Sequence, residues 1–443
     1  MPTTPTSDPL NVAVVGTGYV GLTTGVCLAH LGNPVVCCDV DQRKVDLLNA
    51  GVVPIVEEGL ADLMHGAVDA GNLTFVLGVD PGVRDADVIF LCVPTPQDED
   101  GSADLSYVES AARSIGPLLR PGAVVVNKST VPVGSFHIVA DALARDDVSV
   151  VSNPEFLREG TAVTDFLQPD RVVVGADSDA AGDLVARLYE PLDAPILRTD
   201  PASAEVIKYA ANGFLAMKIS FINSVASLCE AVGADVVSVA AGIGTDSRIG
   251  DRFLNPGPGW GGSCFPKDSR ALVAIAADHG YDFSLMRGVI DNNEQQFDRM
   301  IDKVVQAVGR YRHDRLTGIV IAGLGLTFKA GTDDLRESPS VRILNELAER
   351  GATIRAYDPT ATGDLDPIQD DQLGAFELQD DVWAALQGAD VAVVLTEWPE
   401  FRGLDLVKTA EVMRGRAIVD TRNLLDPVAV RATGLSYTGV GRP

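Results

Sequence analysis

The residues best suited to chemistry stand in one segment, Gly257-Pro258-Gly259-Trp260-Gly261-Gly262-Ser263-Cys264-Phe265-Pro266-Lys267-Asp268, where glycines surround a single cysteine. Glycine lets a ligand approach the backbone closely. Pro266 marks a first helical position, so Cys264 would sit just before a helix N-terminus with Lys267 one turn away. Both features favour a thiolate. A small buried residue in a tight turn is the ordinary reading of an arbitrary cysteine. The glycine-rich, helix-starting setting favours a nucleophile instead.

Lys208 and Asn212 are four residues apart in a segment patterned as helix, so they share a face, and an ammonium and an amide could converge on one oxygen. An isolated Lys/Asn pair would otherwise cover a solvated face. Asn153-Pro154-Glu155-Phe156-Leu157-Arg158-Glu159-Gly160 follows an apolar strand, and strand ends in α/β sheets are where ligands bind. Glu155 could act as a general base toward water; a solvated loop acid is the alternative.

Val12-Ala13-Val14-Val15 runs into Gly16-Thr17-Gly18-Tyr19-Val20-Gly21 and then a helical pattern. In this strand–turn–helix context Gly16, Gly18 and Gly21 would make a tight turn, let backbone approach a pyrophosphate and bring the helix close to the sheet. A glycine turn that holds nothing is the alternative. Asp39 ends the second strand, where a carboxylate accepts hydrogen bonds from an adenosine ribose and repels a 2′-phosphate. That placement predicts NAD over NADP, although Arg43 and Lys44 could hold an extra phosphate.

The elements that must position these groups read as an α/β protein. Short apolar strands at 12–15, 35–38, 73–77, 88–93, 124–126, 148–151 and 172–174 alternate with helical patterns. Their continuous apolar character suits strands covered on both faces. From Pro201 to Val232 no further proline interrupts the chain, which predicts one long helix of roughly 45 Å. A second series follows the polar segment 309–317, with strands at 319–322, 353–357, 391–395 and 417–419, and Gly323-Leu324-Gly325 faintly echoes Gly16-Thr17-Gly18. The expected architecture is two Rossmann-like doubly wound domains, 1–200 and 311–443, joined by a central helical region, 201–310.

With 443 residues and 46% hydrophobic content the chain can fill several cores. Its formal charge of −27 disfavours nucleic acid and anionic lipid as partners, so an anionic ligand would need locally gathered Lys and Arg. The acidity also suggests tolerance of high salt. No apolar run reads as long and uninterrupted enough to span a bilayer, and 1–9 lacks a signal pattern. Cys27, Cys37, Cys38, Cys92, Cys229 and Cys264 lack metal-type spacing, which fits a reducing cytoplasm, and the unclustered His30, His65, His137, His279 and His313 indicate no metal site.

Together these segments, with Ser129-Thr130-Val131-Pro132-Val133-Gly134 and Phe328-Lys329-Ala330-Gly331-Thr332-Asp333-Asp334-Leu335-Arg336, closely resemble the UDP-glucose 6-dehydrogenase family, within the UDP-glucose/GDP-mannose dehydrogenase group. The resemblance covers about residues 11 to 425. It implies a soluble, cytoplasmic NAD enzyme that oxidises the C6 alcohol of UDP-glucose to a carboxylate. The N-terminal domain would bind NAD, the central helices would form much of a homodimer interface, and the C-terminal domain would receive the UDP part.

By that resemblance Cys264 would be the covalent nucleophile, carrying a thiohemiacetal and then a thioester. Lys208, Asn212 and Asp268 would arrange oxygen and water, and Thr130 and Glu155 would assist proton transfer. Val20, Asp39, Lys44, Thr95, Thr130, Glu159, Lys267 and Arg336 would surround NAD, beside Gly16, Gly18 and Gly21. Glu155, Phe156, Leu157, Arg158, Glu159, Phe253, Leu254, Asn255, Pro256, Gly257, Gly261 and Lys329 would line the sugar-nucleotide site with Lys208 and Asn212. Arg248 would reach a neighbouring subunit's substrate. Lys208, Arg248, Lys267, Lys329 and Arg336 supply the local positive charge the global balance demands. Trp260 stands where phenylalanine is common in the family. GDP-mannose 6-dehydrogenase shares the same segments and is the nearest alternative; a non-catalytic nucleotide-sugar or NAD sensor is the alternative of a different class.

Overall fold

Runs such as Val12-Ala13-Val14-Val15 are apolar at every position, so each face of the strand they form must be covered. A computed structural model describes residues 8–97, 103–361, 373–374 and 376–442. The chain divides into two compact units, Met1–Ala211 and Asn212–Pro443.

The first unit is built on β1 (Val12–Val15), β2 (Val35–Asp39), β3 (Leu73–Leu77), β4 (Val88–Leu91), β5 (Val124–Asn127), β6 (Ser149–Ser152), β7 (Val172–Ala176) and β8 (Ile196–Thr199). Their order is β3-β2-β1-β4-β5-β6-β7-β8. All neighbours are parallel except β6 and β7, which pair antiparallel. Alternation along β1 fills both faces. Val12 and Val14 pack with Leu22 and Val26 of the helix Tyr19–His30, while Ala13 and Val15 pack with Val108, Ala112 and Val139. The winding reverses between β1 and β4, the position at which open α/β sheets bind ligands beyond their strand C-termini.

The second unit repeats that winding with β9 (Val320–Leu324), β10 (Thr353–Tyr357), β11 (Glu377–Leu378), β12 (Val391–Val394), β13 (Ala417–Asp420) and β14 (Ser436–Thr438), ordered β11-β10-β9-β12-β13-β14. The faint echo in sequence is therefore topological. Gly16 and Gly325 both have φ +96°, and their N–H groups donate to Cys38 O and Tyr357 O at 2.8 Å each. The carboxylates that follow differ. Asp358 is fully enclosed, accepting from Leu326 N at 2.7 Å, Thr327 N at 3.1 Å and the Trp398 indole at 3.1 Å.

The predicted long helix runs Pro201–Val232 as expected. By length and composition it is long and apolar enough to cross a membrane, which corrects the reading that no such segment exists. One face of it is polar and enclosed by protein: Glu205, Lys208, Asn212, Ser220 and Asn223 are all buried, and such groups need protein partners to offset lost hydration. The strands β8, β11 and β14 go beyond the sequence expectation, because edge strands such as Ile196-Leu197-Arg198-Thr199 lack a continuous apolar signature.

Candidate functional site

In the first unit the glycine turn occupies the C-terminal end of β1, and Gly18 caps the helix Tyr19–His30. A Cβ on Gly16 would meet Cys92 O at 2.6 Å, so that glycine is demanded by packing. A Cβ on Gly18 would meet nothing within 4 Å, which leaves an open approach to the helix's first N–H groups. Asp39 Oδ2 accepts from Thr17 N at 2.8 Å and Thr17 Oγ1 at 2.5 Å, and Oδ1 accepts from Asp41 N at 2.9 Å. Burial opposes its charge, but those donors, with Lys44 nearby, hold the carboxyl below its ordinary value. Half-exposed and ionised, Asp39 keeps acceptor capacity for ribose hydroxyls, unlike the enclosed Asp358. The turn and the carboxylate thus fit a dinucleotide.

Along the same sheet edge, Thr95 Oγ1 donates to Thr130 O at 2.9 Å, joining the ends of β4 and β5. Asn153 anchors the loop after β6. Its Nδ2 donates to Val173 O at 2.7 Å, and its Oδ1 accepts from Tyr189 Oη at 2.6 Å and Lys128 Nζ at 3.0 Å. Next to it, Lys208 Nζ donates to Glu155 Oε1 at 2.7 Å and to Glu155 O at 2.8 Å. The two side chains are only 4% and 5% exposed. Burial would raise the Glu155 carboxyl, yet Lys208, Leu157 N–H and Lys128 together hold it below its ordinary value. Glu155 is thus an ionised partner of Lys208 in this arrangement. Phe156 stacks beneath Arg171, 3.5 Å from ring centre to guanidinium, and Arg158 pairs with Asp165 at the exposed end of the loop.

Sequence reasoning missed three buried groups here. Burial pushes Lys128 down to about 8. Glu205 accepts from Gly134 N at 2.7 Å, Phe136 N at 3.2 Å and Ser152 Oγ at 3.1 Å, and burial still pushes it up to about 7. Glu205, Lys208, Thr130 and Asn127 line a small cavity, and the Asn127 amide finds no hydrogen-bond partner among the described residues. Only Glu205 carried a signal, its position three residues before Lys208 on one helix.

In the second unit Cys264 is the N-cap of the helix Phe265–Asp278, so Pro266 occupies the second helical position, one later than expected. Of the six cysteines Cys264 alone is partly exposed. Burial pushes Cys27, Cys38 and Cys92 up to about 12, which makes them inert. Lys267 Nζ meets Asp268 Oδ1 at 2.6 Å, and Asn212 Nδ2 donates to Asp268 Oδ2 at 2.6 Å. The carboxylate of Asp268 is wholly buried between them.

The segment before Cys264 is held by amides. Asn223 Oδ1 accepts from Gly257 N at 2.8 Å, Gln296 Nε2 donates to Gly257 O at 2.8 Å, and Asn293 Oδ1 accepts from Trp260 N at 2.8 Å. A Cβ on Gly259 would strike Phe297 at 2.6 Å, and one on Gly262 would strike Phe328 at 2.8 Å. These glycines are therefore required by the protein's own packing, where the sequence suggested ligand approach. Leu254 and Pro256 are buried, Asn255 is exposed, and the half-buried Phe253, its ring 6.3 Å from that of Phe265, sits at φ +63°, a strained conformation for a bulky residue.

Of the remaining cations, Arg336 pairs with Asp334 at 2.7 Å and Lys329 lies 5.6 Å from the Phe328 ring. Arg248 pairs with Asp246 at 2.6 Å on a side chain 86% exposed. Arg422, not singled out by the sequence, follows β13 and donates to Leu395 O at 2.7 Å and Phe328 O at 2.9 Å, within reach of Gly257.

A doubly wound sheet with an open glycine turn and a paired carboxylate defines a nucleotide-dependent enzyme class, and comparison with known proteins gives the family. The chain belongs to the UDP-glucose/GDP-mannose dehydrogenase family. Residues 10–193 match its NAD-binding domain, 202–295 its central domain and 322–427 its UDP-binding domain. Similar curated proteins include the UDP-glucose 6-dehydrogenase TuaD of Bacillus subtilis (strain 168), 45% identical over 98% of this chain and 93% of the relative. The UDP-glucose 6-dehydrogenase of Rhizobium meliloti (strain 1021) is 44% identical over 98% of this chain and 100% of the relative. Among solved structures, a UDP-glucose dehydrogenase from the hyperthermophilic archaeon Pyrobaculum islandicum superposes with a TM-score of 0.89 at 37% identity, covering 100% of both chains.

Proposed function

We propose that this chain oxidises the C6 alcohol of UDP-glucose to the carboxylate, with Cys264 as covalent nucleophile. The observation that carries this reading is the full-length match to UDP-glucose 6-dehydrogenases, joined to one partly exposed cysteine at a helix N-terminus. NAD⁺, when bound, accepts the hydride that leaves C6 in each of two oxidations. The glycine turn and Asp39 would seat the dinucleotide.

Lys208 is the group that would meet the C6 oxygen. As its ammonium turns toward that oxygen, Glu155 loses its ion-pair partner and becomes more basic, so it can take a proton from water. Asn212 would donate to the same oxygen, worth about 3 kcal/mol for a well-aimed donor. Cys264 sulfur adds to the aldehyde carbon, giving a thiohemiacetal. Its oxidation leaves a thioester, and water cleaves the C–S bond to return the thiol and release the carboxylate. Asp268 holds Asn212 and Lys267 in place, and Thr130 would orient the water.

A homodimer belongs to the same proposal. Phe214, Phe221 and Leu228 recur every seventh residue on the long helix, each more than half exposed. Such a stripe on a second copy would cover it, and Arg248 would then reach the partner's substrate. We place the enzyme in the reducing cytoplasm. Incubation with UDP-glucose and NAD⁺ should release two NADH per sugar. One NADH per sugar, or faster turnover of GDP-mannose, would refute the assignment.

A further inference from the structure

In the first unit, three segments remote in sequence meet in a hydrogen-bonded knot that the scheme above does not use. Tyr19 is the first residue of the helix Tyr19–His30, beside the open Gly18. Its hydroxyl meets Glu57 Oε2. The N–H of Gly160 reaches Tyr19 Oη at 2.8 Å and Glu57 Oε2 at 2.8 Å, and Val163 N donates to Glu57 Oε1 at 3.3 Å. Glu57 itself is buried.

The Tyr19 hydroxyl reaches two acceptors, Glu57 Oε2 and, at 3.5 Å, the carbonyl of Arg158, and the carboxylate is much the nearer. A carboxylate only accepts, so the phenol gives its proton to Glu57, and the amides of Gly160 and Val163 supply the rest. Burial, and then Glu57 beside it, push the Tyr19 hydroxyl far above its ordinary value, so it remains a donor at any working pH. Gly160 closes the loop that starts at Asn153. The loop's beginning is fixed to the sheet through Asn153 and to Lys208 through Glu155. Its far end hangs from Tyr19 and Glu57.

We propose that Tyr19 and Glu57 are positioning residues that latch the loop carrying Glu155 to the glycine turn, so that filling the turn strengthens sugar-nucleotide binding. This rests on the assignment above of the turn to NAD and of the loop to the sugar nucleotide. The physical basis is shared ordering. A pyrophosphate against Gly18 steadies the first residue of the helix, and that residue holds Gly160. The second ligand then finds a loop whose freedom is already lost. Phenylalanine at position 19 leaves the ring in place and removes the hydroxyl that joins turn to loop.

The test measures coupling by calorimetry on the full-length protein, with NADH as the unreactive dinucleotide and UDP-glucose as the second ligand. Wild type should bind UDP-glucose on the order of tenfold more tightly when NADH is saturating. In Tyr19→Phe that ratio should fall to about twofold or less, while each ligand alone still binds. Glu57→Gln, which keeps the shape of the knot, should also lower the ratio and serves if Tyr19→Phe folds poorly. A merely structural role would weaken both affinities and leave the ratio alone. An unchanged ratio in both variants, or no coupling in wild type, overturns the latch and leaves the functional assignment standing; failure of wild type to bind either ligand overturns both.

Discussion

Replacing Glu155 by glutamine removes one charge from a pair that water barely reaches. Lys208 Nζ lies 2.7 Å from Glu155 Oε1, on side chains 4% and 5% exposed. Two unit charges at about 4 Å attract by ~4 kcal/mol at an effective dielectric of about 20, and desolvation of both ions offsets much of that. Removing one partner is the costlier change, about 3–5 kcal/mol, because the other charge stays buried without its counter-ion. Lys128 pushes the expectation to the upper part of that range: it is also buried and feels Glu155 and Lys208 together, so neutral glutamine would leave two ammonium groups repelling. Against a total stability of about 5–15 kcal/mol this is a large loss.

Urea unfolding of Glu155→Gln, Lys208→Met and the double variant measures it. The double variant should lose at least ~2 kcal/mol less than the sum of the singles, as expected for contacting charges. The acid limb adds a check. Glu155 is held below its ordinary 4.5, so its contribution is present above that value and disappears as pH falls through the lower, folded-state value. Glu155→Gln should lack that loss. A single-variant cost under about 1 kcal/mol, or strict additivity, would show the pair to be solvated and would refute the reasoning.

Other outcomes follow from the same geometry. Cys264→Ser should lower carboxylate formation by at least about a thousandfold while NADH binding, followed by its fluorescence, stays within a few fold. Glu205 is pushed up to about 7 from 4.5, so the folded protein retains a proton that the unfolded chain loses between those values. Stability should therefore fall by about 3 kcal/mol as pH rises through that window. Glu205→Gln should flatten this slope in denaturant titrations at pH 5 and pH 8; an equal slope would contradict it. Phe221→Asp places a charge within the proposed helix stripe and should shift the protein from dimer to monomer in sedimentation at micromolar concentration, whereas an unchanged dimer would move the interface elsewhere.

Much of the architecture was legible because its signals are local. Continuous apolar runs bounded by Gly, Pro and Asp marked the inner strands, and Pro201 and Gly233 bracketed the long helix. The edge strands β8 and β14 escaped because an edge needs apolar residues on one side at most. In the site, residue spacing revealed Lys208 with Asn212, but could not reveal their partners, Glu155 and Asp268, more than fifty positions away. Lys128 escaped for another reason. A lysine directly after an apolar strand ordinarily reaches solvent, and only the surrounding Asn153 and Tyr189 show that this one does not. At Gly259 and Gly262 the sequence suggests room for a ligand, while the atoms crowding them belong to Phe297 and Phe328.

The enclosure of Asp358 bears on the order of events during turnover. With that carboxylate shut away from solvent, the later α/β half lacks the partly exposed acid with which the earlier half would grip a ribose. Among the described residues the turn at Gly16 with Asp39 is then the one such berth for the oxidant, although the proposed conversion needs two molecules of it. In the proposed scheme the first spent carrier would depart and a fresh one dock while the half-finished sugar waits, and a bond to the Cys264 sulfur would be a tether that survives such an exchange of passengers.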